Sequence, residues 1–321
     1  MFGVALGLVL AWVLVSRSGG PEAVVQSVSA SIAGADATML LLALLLFTGS
    51  QVVRAYRWRV LSLRTTLGLG RALPLTSVHI GLGHLLPVRL SDLALVGLFQ
   101  HHAALPLGDG TGVVVVAKLL DLVAMGSVVA LVVAFGTGGA AAVAAPAVAL
   151  VGVIGVLLLP WILRWVKGPV GRISTRLSRG HSLLRWYREL RCASSYRNRP
   201  GRLLGGLGLS MVVWAMKMVM FLLLLRAVSV DLGALPLWKL FTAFAVTDLT
   251  MALPIHGLLG LGTVEAGWTA GFALAGISGA EVVRVGFSVH ILWLSMAVAM
   301  MALALPLVLF SGGSRGEETA D

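Results

Sequence analysis

Apolar residues fill this chain in long blocks, and polar residues fall into a few sharply placed interruptions. Long apolar runs cover 2–16, 38–53, 111–135, 141–163, 203–225 and 285–310. Stretches such as MLLLALLLF (39–47) do not alternate, which excludes the two-residue pattern of a membrane β-barrel. Each of the six runs is read as a membrane-crossing helix. No basic residue precedes residues 2–16 and many runs follow, so this run is a first membrane helix rather than a signal peptide.

Two further apolar regions are broken in the middle. In HLLPVRLSDLALVGL (84–98) the apolar run stops at Leu86-Pro87, admits Arg89 and Asp92, and then resumes. The halves 73–86 and 91–104 each reach about 21 Å as helix, against a hydrocarbon core of about 30 Å. Neither half spans comfortably. The pattern predicts a re-entrant hairpin that dips in from the cytoplasm, turns at Pro87-Val88-Arg89 and returns. Non-helical backbone at that depth survives only inside protein or against a wet cavity, and the charges favour the cavity.

The region 241–278 repeats the design. It breaks at Leu253-Pro254, passes a glycine-rich stretch with His256, and resumes as helix at Thr263. Both breaks carry Leu-Pro, irregular backbone, a hydroxyl residue suited to N-capping (Ser91 or Thr263), then an acid (Asp92 or Glu265). The predicted fold is an all-α polytopic membrane protein with about six full spans. Two re-entrant broken helical hairpins join them, arranged as an inverted repeat. The chain 1–321 reads as one integral membrane domain, with a first repeat over 50–163 and a second over 203–310.

Composition agrees with this reading. The chain is 58% hydrophobic and 12% charged, with mean hydropathy +0.98, where soluble domains carry about 25% charged residues. The net charge of +11 is localised: eleven of 24 Lys and Arg lie between Arg164 and Arg202, against the single acid Glu189. A basic loop in a membrane protein is first a cytoplasmic signal, so 164–202 and RAYRWRVLSLR (54–64) are placed inside, as are both termini. The inner membrane is the expected location. Within the loop, HSLLRWYRELR (181–191) sets Leu183, Leu184, Trp186, Tyr187 and Leu190 opposite three arginines, as a helix on an anionic leaflet does. A plain topology signal explains the same charges. The single Cys192 excludes an internal disulfide. No metal-ligand spacing and no glycine-rich phosphate loop occurs, so no cofactor and no metal is expected; because the basic loop reads first as cytoplasmic, no nucleic-acid partner is expected either.

At these residues the chain resembles the lysylphosphatidylglycerol synthase transmembrane family, the flippase-like membrane part of multiple peptide resistance factors. The resemblance rests on Arg54, Arg57 and Trp58 near the end of an early helix, then His84, Leu86, Pro87, Arg89 and Asp92. Ala117, Lys118 and Asp121 follow, and late in the chain Pro254, Gly260, Gly262 and Glu265, with Arg284 beyond. His84 stands where the family pattern has Asn, Ser91 where it has Gly, and Ala117-Lys118 where it has Glu-Arg. The resemblance implies movement of lipids with phosphate-bearing or glycosylated headgroups between leaflets. Only residues 311–321 follow the last run, so the soluble synthase activity of the resistance factors is expected to be absent, and no enzyme activity is assigned.

Carrying a phosphate through hydrocarbon requires a wet groove, fixed cations and helix N-termini. Arg89, Lys118 and Arg284 are the expected cradle for a phospholipid or polyprenyl-phosphate headgroup, and Arg54 and Arg57 its collectors at the cytoplasmic mouth. Asp92 and Glu265 either hold these cations or exchange protons, as does Asp248. His84 and His256 are either proton relays or hydrogen-bonding wedges in turns. The structural alternative is simple pairing: Lys118 with Asp121 on one helix, and Arg89 with Asp92 or Asp121. Two other functions remain open on the sequence: a membrane-embedded lipid-modifying enzyme and a small-solute secondary transporter.

Overall fold

The computed structural model describes residues 2–63, 67–86, 90–137, 147, 150–155, 157–158, 196, 199–228, 236–252 and 258–310. Pro87, Arg89, Cys192, Leu253-Pro254, His256, most of 141–163, the 181–191 segment and the tail 311–321 lie outside these residues. Among the described residues are ten α-helices with defined ends: α1 (Phe2–Arg17), α2 (Gly20–Ala33), α3 (Ala37–Leu61), α4 (Leu69–Leu85), α5 (Leu90–Ala103), α6 (Leu107–Thr137), α7 (Pro200–Ala227), α8 (Leu237–Ala252), α9 (Thr263–Leu274) and α10 (Ala280–Phe310). One 3-10 turn, Leu258–Gly260, precedes α9. No strand occurs among the described residues.

Four of these helices are long and apolar enough to cross a membrane: Ala37–Leu61, Leu107–Ala134, Pro200–Ala227 and Ala280–Phe310. The six spans expected from the apolar runs are therefore not all reached among the described residues. The first run forms a helix of only 16 residues, short of the bilayer core at 1.5 Å per residue. The chain then bends by 85° into α2. Gly19 and Gly20 make this elbow at φ +96° and +90°, where a side chain would be strained. Helix α2 is too polar to register as an apolar run, yet it buries Val24 and Val28 against Val283 and Phe287 of α10.

Helices α3 and α7 form the central antiparallel pair. Asp36 caps α3 by accepting from the Met39 N–H at 2.9 Å, and its own N–H donates to the Ala227 carbonyl at the far end of α7. At the other end Arg202 donates to the Ser62 carbonyl at 2.6 Å, and the Tyr196 hydroxyl donates to Leu61 O. These donors satisfy carbonyls that a helix C-terminus leaves open.

Both broken regions fold as helical hairpins. In the first, His79 and Gly83 of α4 lie against Ser91 at the start of α5. Helix α4 runs antiparallel to α10, with Gly81 against Met301 and His84 against Trp293. In the second, a Cβ on Gly267 would lie 2.4 Å from Thr250 Oγ1, and one on Gly271 would lie 2.5 Å from the Ala243 carbonyl. These glycines let α9 run back along α8 in close contact. Helix α8 starts where Trp238 packs on Gly136 near the end of α6. It descends to Asp248, which meets Lys217 in the middle of α7.

The start of α9 differs from the expected cap. Thr263 does not cap; its hydroxyl donates back to the Gly260 carbonyl at 2.9 Å. The N-cap is Gly262, at φ +79°, and Glu265 reaches back to accept from its N–H at 2.7 Å. A Cβ at Gly262 would sit 1.8 Å from the Gly7 carbonyl oxygen of α1. Only glycine fits both the backbone angle and the approach of α1.

Candidate functional site: a polar cavity in the bundle

Helices α3 to α8 and α10 enclose a cavity of about 320 Å³. Its lining is apolar over much of its area, as for most ligand sites, but it concentrates charge. Arg54, Lys118 and Lys217 face it with Asp92, Asp121 and Asp248, together with His79, His84, Ser50, Gln51 and Ser91. Helical packing explains the gathering. Leu46, Phe47, Ser50, Gln51 and Arg54 recur at three- and four-residue steps and so occupy one stripe of α3. On α6 the same rule aligns Lys118, Leu119, Asp121, Leu122 and Met125.

Most of the charges are paired between helices. Arg57, 1% exposed, bridges Asp121 of α6, donates to Ser210 Oγ of α7 at 2.6 Å, and stacks its guanidinium over Trp58 at 5.0 Å. Lys118 lies 3.0 Å from Asp92 Oδ1 on α5. Lys217 donates to both oxygens of Asp248 at 2.6 Å and sits over Trp293 at 4.6 Å and Trp214 at 5.2 Å. Buried charges held this way keep their Coulombic compensation when water is removed.

Arg54 is different. It lines the cavity, its Nε is buried without a hydrogen-bond partner, and no carboxylate lies within ion-pair distance of it among the described residues. Gln51, one turn away and 1% exposed, also has a carbonyl oxygen without a donor. A cation and an amide left open toward a cavity are what an anionic, hydrogen-bonding ligand requires. On the α6 side the lining includes Leu119 and Leu122, which are 39% and 52% exposed.

The structure thus brings together Arg54, Arg57, His84, Asp92, Lys118, Asp121 and Asp248. It places Glu265 and Arg284 elsewhere. Glu265 is fully buried away from the cavity, held by Gly262 N–H and by His290 Nδ1 at 2.6 Å. Arg284 stands in the first turn of α10 and pairs with Glu281 at 3.5 Å, so the expected cradle with Lys118 does not form. The alternative Lys118–Asp121 pair does not form either, since Lys118 takes Asp92 and Asp121 takes Arg57. Arg89 and His256 lie outside the described residues. Three cavity residues, His79, Gln51 and Lys217, were not singled out from the sequence. The lone lysine in SMVVWAMKMVMFLLLL was legible, because an ionisable residue inside an apolar span is a functional candidate.

No group of three or more His, Cys, Asp or Glu side chains suited to a metal occurs among the described residues. Over residues 1–300 the chain matches the family described as Lysylphosphatidylglycerol synthase TM region. No curated protein and no solved structure matches it.

Proposed function

Because the chain belongs to the lysylphosphatidylglycerol synthase transmembrane-region family, we propose that it moves a lipid with a phosphate-bearing headgroup between leaflets, without altering it covalently. The observation that carries this reading is Arg54, a cavity cation that makes no ion pair with a carboxylate among the described residues; Asp121 and Asp248 act on it only from further off. A phosphate entering there gains a guanidinium fork without first breaking an ion pair. Gln51 adds a partner for a headgroup hydroxyl or amine. The acyl or prenyl chains stay in lipid, leaving between helices past Leu119 and Leu122. The α4–α5 and α8–α9 hairpins are the re-entrant halves of an inverted repeat. The first enters from the end where α3 and α10 finish, the second from the end where α6 and α7 finish. The former is the cytoplasmic side of the inner membrane, as Arg59 and Arg202 at that end suggest.

The test is leaflet exchange of a fluorescent phospholipid in proteoliposomes, with the recovered lipid weighed by mass spectrometry. Wild-type protein exchanges the lipid and returns it unchanged. Arg54→Gln removes a charge-assisted contact worth about 1.5–3 kcal/mol and lowers exchange by about 10- to 100-fold. Full exchange by the variant, or a chemically changed lipid, overturns the reading.

A further inference from the structure

His79 and Asp92 meet at the cavity wall in an arrangement that is short of one proton. His79 Nδ1 lies 3.1 Å from the Ser91 carbonyl oxygen. A carbonyl cannot donate, so Nδ1 carries the hydrogen. In the neutral ring Nε2 is then a bare lone pair, and it faces Asp92 Oδ1 at 3.5 Å. That oxygen is buried and receives no aligned hydrogen bond. Among the described residues the cation that pairs with it is the ammonium of Lys118, 3.0 Å away, and the Lys118 side chain is itself 42% exposed and lines the cavity.

Each packed neighbour has a defined part. From α3, Trp58 presents an edge to His79 at 6.5 Å, and Arg54 adds positive charge across the cavity. From α5 come Asp92 and the Ser91 carbonyl, and from α6 Lys118, with Asp121 one turn on. Helix α10 meets α4 through Trp293 at His84, and the 258–260 turn brings no charged residue.

We propose that His79 and Asp92 form a proton-binding site coupled to headgroup entry, so that an anionic headgroup and a proton enter the cavity together. The proposal rests on the translocation reading above. An anionic headgroup at Arg54 draws Lys118 off Asp92. His79 Nε2 then takes up a proton from bulk solvent through the cavity and, as imidazolium, donates a hydrogen bond to Asp92 Oδ1, replacing the lost ammonium. One negative charge and one proton enter, so the cavity's net charge does not change. A proton gradient across the membrane can then bias the direction in which lipid moves.

The test uses the full chain in nanodiscs with dioctanoyl phosphatidylglycerol as the anionic probe, and dioctanoyl phosphatidylcholine as the zwitterionic control. Proton uptake is read with a pH dye in weakly buffered medium. Wild type takes up about one proton per phosphatidylglycerol bound, and its affinity falls as pH rises, by up to about tenfold per pH unit. His79→Asn keeps a donor for the Ser91 carbonyl but has no Nε2; it takes up no proton and its affinity is flat with pH. Asp92→Asn, the second variant, behaves likewise. Phosphatidylglycerol binding without proton uptake in wild type, or undiminished uptake in both variants, overturns the coupling and leaves translocation standing. Failure of every lipid to bind overturns both.

Discussion

Glu265 is fully buried with both carboxylate oxygens held, which makes its removal a calibrated perturbation. The side chain is fully buried and accepts two hydrogen bonds, 2.7 Å from the Gly262 N–H and 2.6 Å from His290 Nδ1. Glu265→Ala leaves both donors buried without partners. At about 1–3 kcal/mol for each orphaned group, the expected loss is about 2–6 kcal/mol, with a further cost for the vacated volume. Glu265→Gln keeps an acceptor for Gly262 and presents an amide to His290, whose ring changes tautomer to accept it. The loss there is about 1–2 kcal/mol, the difference between charged and neutral hydrogen bonds. Unfolding in mixed micelles titrated with SDS measures both values, and leaflet exchange is assayed on the same preparations. The expected result is a graded loss of stability with exchange retained by folded Glu265→Gln protein. Normal stability of Glu265→Ala, within about 0.5 kcal/mol, refutes the structural assignment. So does abolished exchange in a fully stable Glu265→Gln variant, which would make this carboxylate part of the transport path.

Arg57→Leu strands Asp121 and Ser210 in the bundle and is expected to cost about 3–5 kcal/mol by the same unfolding assay. Arg57→Leu with Asp121→Leu should recover most of that loss, because the uncompensated charge is gone. Gly262→Ala forces a side chain into φ +79° and against the Gly7 carbonyl of α1. It should release α1 from the start of α9, seen as faster backbone hydrogen exchange over 4–16 with α3 and α7 unchanged.

The amino-acid sequence by itself determined the class of protein and the position of its interruptions. Runs at 38–53, 111–135, 203–225 and 285–310 became α3, α6, α7 and α10, since burying twenty apolar residues in a row leaves few alternatives to a membrane helix. The breaks at Leu86-Pro87 and Leu253-Pro254 fall between the paired helices α4 and α5, and α8 and α9. Arg54, Arg57, Asp92, Lys118 and Asp121 were legible because charge inside an apolar helix needs a reason. Partnership was not legible. Lys118 and Asp121 are three residues apart on one helix face, yet each pairs across the bundle, with Asp92 and Arg57. Asp92 and Glu265 occupy equivalent places in their hairpins, but one faces the cavity and the other its own N-cap and His290. Helix α2 and His79 escaped notice because neither stands out from its local pattern. The physical reason is common to all of these. Periodicity assigns a residue to a face of its own helix, whereas the partner on that face depends on how neighbouring helices are rotated and inclined. Those angles are decided by close contacts such as Gly81 on Met301, Gly271 on Ala243 and Gly262 on Gly7, which join residues far apart in the chain and leave no mark on it.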